Sequence, residues 1–128
     1  MPQSTTINIA EASITLREDG IIHIIYNEGV IIDVQVQHNV QEVFDKLAAG
    51  KKRPYLFEAM DNCSVTKEAR ENAIKMEDKV LASAYAVVAN SIAYRLIANF
   101  YLKVNKPKSP YRVFNTEQAA TKWLLKFV

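Results

Sequence analysis

Cysteine occurs once, at Cys63, so the chain can close no internal disulfide and a reducing compartment is its simplest home. Glycine is scarce too: Gly20, Gly29 and Gly50 are all there is, and none belongs to a Gly-rich phosphate loop. Long apolar runs are missing. The stretch from Ala84 to Ala89 covers only a fraction of the roughly 20 residues that cross a bilayer, so no membrane span is expected. The opening residues Met1 to Thr6 carry neither the basic stretch nor the apolar run of a secretory signal, and a cytoplasmic protein is expected. Two histidines fifteen residues apart, His23 and His38, and one thiol form no recognised metal-ligand spacing; no metal and no cofactor are expected.

What is present is an ordinary globular balance, 49% apolar and 23% charged over 128 residues, enough for one core without staples. The net charge of +2 hides a polarity, since residues 1–50 carry −5 and residues 51–128 carry +7. Complementary charges of this kind steer encounters, and a homodimer is one expectation. Lys103, Lys106, Lys108 and Arg112 gather around Pro107 and Pro110, but a pI near 8.6 falls short of a nucleic-acid footprint. They read as a solvated face, and no nucleic acid is expected.

Ala12, Ile14 and Leu16 alternate with Ser13, Thr15 and Arg17, the period of a half-buried strand. Asp19-Gly20 then predicts a hairpin into a second strand, Ile21 to Asn27, apolar on both faces except for His23. Asp33 can cap a helix whose stripe is Val36, Val40, Val43, Phe44 and Leu47, ended by Gly50. Tyr55 to Ala59 predicts a third strand, and Ser64 or Thr66 can cap a helix running to about Met76. Tyr85 to Ala89 predicts a central strand, and Asn90 or Ser91 caps a helix with Ile92, Leu96, Ile97 and Phe100 on its stripe. Tyr111 to Phe114 is a short last strand. Asn115 with Gln118 suggests a capping box for a final helix burying Ala119, Ala120, Trp123, Leu124 and Phe127.

Strand, strand, then helix and strand in alternation predicts an α/β domain. Its mixed, mainly parallel sheet has about five strands, about four helices and an N-terminal antiparallel hairpin. Residues 1–10 are an extension that could join the first strand; residues 11–128 form the single domain. This order resembles the STAS domain of anti-sigma-factor antagonists and sulphate-transporter tails, in its SpoIIAA-like fold. Ala84 to Ser91, Arg95 to Lys103, Asn105-Lys106-Pro107 and Val113 to Leu124 look like a group of uncharacterised bacterial STAS-like proteins.

The resemblance implies a non-enzymatic regulatory or interaction module with a protein partner. In the regulatory members of that family the phosphorylated serine follows an aspartate in an Asp-Ser-Ser/Thr-Gly motif between the third strand and its helix. Here Asp61-Asn62-Cys63-Ser64 stands at that place: the aspartate matches, Asn62 replaces the serine, and Ser64 is the nearest substitute.

Loops at the carboxyl ends of parallel strands bind ligands in α/β sheets, and both candidate loops feed helix N-termini. Asp61, Asn62, Cys63, Ser64 and Thr66 on one, and Asn90, Ser91 and Arg95 on the other, are therefore the candidate regulatory or ligand-binding residues. An alternative function is a carrier or sensor of a small anionic or amphipathic ligand there. Catalysis finds little support. Glu58, Asp61 and Asp33 have no diagnostic spacing, and Cys63 has no neighbouring base in sequence.

Overall fold

The alternating segment becomes strand β2 (Ala12–Leu16), with Ala12 and Ile14 fully buried and Ser13 and Thr15 turned to the opposite face. The computed structural model describes residues 4–76, 79–89 and 109–128. At the hairpin, Gly20 sits at φ 90 and its N–H donates to the Arg17 carbonyl at 3.0 Å. A Cβ at Gly20 would lie 3.1 Å from Val128 and 3.2 Å from Arg53, so space and backbone both ask for glycine. Strand β3 (Ile22–Tyr26) returns antiparallel, placing Ile24 opposite Ile14.

Four residues of the N-terminal extension add a strand of their own. Strand β1 (Thr5–Asn8) pairs antiparallel with β2, and the Thr6 and Thr15 hydroxyls meet across the pair at 2.9 Å. Its mostly exposed Thr-Thr-Ile-Asn sequence carries no alternation that would mark it.

Two connections then hold two-residue strands, β4 (Ile31–Ile32) and β6 (Ser64–Val65), which pair with each other. Helix α1 (Val34–Ala48) is capped as expected, the Val36 N–H donating to Asp33 Oδ1 at 2.9 Å. Its stripe packs on the sheet, and its left-handed ending starts one residue early, at Ala49 before Gly50. Helix α2 (Lys67–Met76) starts at Thr66, whose hydroxyl accepts from the Ala69 N–H at 3.1 Å. Gln37, the one buried polar residue of the described core, joins the two helices. It donates to the Ala69 carbonyl at 2.8 Å and accepts from Asn72 at 3.0 Å.

Strands β5 (Arg53–Ala59), β7 (Ala82–Val88) and β8 (Tyr111–Phe114) complete a six-stranded sheet in the order β1-β2-β3-β5-β7-β8. The pairs β3 with β5, β5 with β7 and β7 with β8 are parallel, so the sheet is mixed and mainly parallel. The last helix, α3 (Glu117–Leu124), continues into a 3-10 turn at Leu125–Phe127. Its cap is Thr116, accepting from the Ala119 N–H at 3.2 Å, which corrects the expected Asn115 box by one residue. Ala119 is exposed, and Ala120 and Leu124 form the buried stripe. The helix expected to follow Asn90 or Ser91 and to stop before Asn105 lies outside the described residues.

The sheet carries a core on each face. Against α1 lie Ile14, Ile22, Ile24 and Tyr26 with an aromatic group in which Phe44 meets Tyr55 edge-on at 4.7 Å. Burial, with smaller contributions from Tyr85 and Asp45, pushes the Tyr55 hydroxyl well above its ordinary pKa. Against α3 lie Ile21, Leu56, Ala84 and Ala86, where the small alanines let the helix sit close.

Candidate functional site

At the carboxyl end of the sheet the β3–α1 and β5–α2 connections are tied together by backbone. The Ser64 and Thr66 amides donate to the Val30 and Ile32 carbonyls, each at 3.1 Å, and Gly29 N–H donates to the Asp61 carbonyl at 2.9 Å. The Cys63 thiol donates to the Asn27 carbonyl at 3.0 Å, so this half-buried cysteine adds a further tie. Asn62 takes φ 64, a left-handed conformation that asparagine accepts more readily than most residues.

Asp61, Asn62 and Ser64 are exposed on this surface, while Thr66 is partly buried and serves as the helix cap. The carboxylates considered together in the sequence have separate duties: Asp33 accepts the Val36 amide and Glu58 is engaged by His23. Asn90, Ser91 and Arg95 lie outside the described residues, as do Lys103, Lys106 and Lys108.

A second cluster forms on the face covered by α3. Arg17 directly follows β2, His23 lies mid-β3 and Glu58 lies near the end of β5, and alternation turns all three to this side. His23 Nε2 and Glu58 Oε1 are 2.9 Å apart, with side chains 12% and 23% exposed. Glu117, in the first turn of α3, brings a carboxylate to the same place; donor atoms of His23, Glu58 and Glu117 all lie within 4.8 Å of one another. Arg17 pairs with Asp19 at 2.7 Å, approaches Glu117 at 3.6 Å and donates to the Thr121 hydroxyl at 3.2 Å. Beside it a shallow depression of about 370 Å³ is lined by Arg17, Glu117, Gln118, Thr121, Lys122 and Leu125.

The sequence placed His23 in a strand but gave it no partner. The parallel register pairs His23 with Leu56, which puts Glu58 two residues along on the same face. Nothing in either strand alone states that register. Only the oddity of a polar residue within the apolar run of each strand, His23 and Glu58, hinted at it.

A model of the domain of unknown function DUF7793 matches residues 14–128. The chain belongs to this family. The crystal structure of an uncharacterised protein of the DUF3478 family from Shewanella loihica PV-4, with a SpoIIAA-like fold, superposes with a TM-score of 0.59. The match spans 94% of this chain and 91% of the other at 10% identity. A protein of unknown function from Arthrobacter sp. FB24 aligns at 23% identity over 87% of this chain and 96% of its own, with a TM-score of 0.31. Curated proteins offer no sequence match. This DUF7793 member therefore has a SpoIIAA-like fold.

Proposed function

We propose that this domain is a non-enzymatic interaction module that docks a protein partner on the paired connections Val30–Ile32 and Asp61–Thr66. One observation carries the reading: Ile31, in the hydrogen-bonded β4–β6 ladder, is 61% exposed. Met60, beside Asp61, is 51% exposed, and Val34 at the start of α1 is 42% exposed. Apolar side chains held out by ordered backbone supply the anchor that a protein interface buries, while Asp61, Asn62 and Ser64 offer polar groups for its rim.

Asn62 carries no hydroxyl at the position where the STAS regulators that the sequence resembles have their phosphorylated serine, so docking here does not wait on a phosphoryl group at that residue. The ligand-carrier reading draws three of its eight residues, Asn90, Ser91 and Arg95, from outside the described residues, and is the weaker of the two.

The test is affinity capture from the native cell extract with the wild-type chain and with Ile31→Glu, identifying bound proteins and small molecules by mass spectrometry. A stoichiometric protein lost from Ile31→Glu is the expected result. A recurrent small molecule retained by both forms, without such a protein, would replace this reading with the carrier.

A further inference from the structure

We propose that His23, Glu58 and Glu117 bind a divalent transition-metal ion through His23 Nε2 and one carboxylate oxygen from each glutamate. The inference is independent of the docking surface, which lies on other residues.

Spacing comes first. A metal ion bonded at about 2.0–2.2 Å to nitrogen and oxygen holds neighbouring ligand atoms roughly 2.9–3.5 Å apart. His23 Nε2 and Glu58 Oε1 already stand at 2.9 Å, on adjacent parallel strands whose pairing fixes their backbones. The third donor is within 4.8 Å of both. Its residue, Glu117, is 48% exposed on the first turn of a helix, where solvent leaves its side chain room to turn.

Charge agrees with spacing. Two carboxylates and a neutral imidazole carry −2, which balances a divalent cation. Arg17 is the cation that approaches Glu117, and Asp19 neutralises it at 2.7 Å. Its contact to Glu117 is the longer one, at 3.6 Å, so Glu117 can turn toward a metal while Arg17 keeps Asp19 and Thr121. The shallow depression begins at Glu117 and Arg17 and leaves an approach for the ion and for water as a further ligand. An imidazole donor beside carboxylates favours zinc, cobalt, iron or nickel over the oxygen-seeking magnesium and calcium.

The chain contains its own control. His38 and Glu42 form the other histidine–carboxylate pair, 3.5 Å apart on α1, but both side chains are about two-thirds exposed. Among the described residues no third donor joins them.

The experiment titrates Co²⁺ into the EDTA-dialysed full chain and follows the visible ligand-field bands, with far-UV circular dichroism confirming that each variant is folded. Saturation at one equivalent is expected. His23→Ala and Glu117→Ala should each weaken binding by at least about tenfold, since even the residues supporting a metal ligand have effects of that size. His38→Ala should leave it unchanged. Glu117→Ala removes only an exposed side chain, so its result stands even if His23→Ala fails to fold. Absence of saturable bands, or binding that survives Glu117→Ala or is lost in His38→Ala, would overturn the assignment.

Discussion

The Thr66 hydroxyl closes the first turn of α2, whereas Ser64, two residues earlier, is exposed on β6 with its backbone in the ladder. The two residues differ in consequence, although both were candidate caps from their type and position. Thr66→Ala should lower stability by about 1 kcal/mol, the usual cost of an N-cap. Ser64→Ala should stay within about 0.5 kcal/mol, as surface substitutions away from special features do. Urea denaturation of the pair checks this, and equal losses would mean that Ser64 also holds the turn. A similar ambiguity, here of one residue, separates Asn115 from Thr116 at α3. Which of two neighbouring polar residues caps a helix depends on where the preceding strand stops, and that is set by sheet pairing.

Helix α3 reaches the sheet through Ala120 and Leu124, both fully buried, while Trp123 is only partly buried between Phe114 and Phe127. Leu124→Ala should therefore cost about 2–5 kcal/mol, as large-to-small changes in a core do. Trp123→Ala should cost less than Leu124→Ala despite removing more atoms. The reverse order in paired chemical denaturation would place the indole at the centre of this core. Elements with a strong period were legible in the sequence: the α1 stripe, the alternation of β2, and β3 with apolar residues on both faces. Strand β1 reads as an extension because its exposed residues do not alternate, and β4 and β6 are too short for any period to register. The His23–Glu58 contact joins residues 35 apart through a register that arises only when the strands are laid side by side.

Strands β5 and β7 each serve both faces: Tyr55 lies in the α1 core beside Leu56 in the α3 core, and Ala82 and Ala84 divide in the same way. Neither layer can dissolve without stripping the other of its floor. Unfolding of the whole molecule should therefore be one transition, with Trp123 fluorescence and far-UV circular dichroism giving superimposable curves. Separate midpoints would show that α3 detaches first. The β4–β6 ladder has a consequence at this scale as well. Because the amides of Ser64 and Thr66 are donated to the opposite connection, the two crossings beyond the strands behave as one plate, and neither can rearrange by itself. A partner meeting that plate would have little loop disorder to suppress, so recognition would follow a rigid template instead of induced fit.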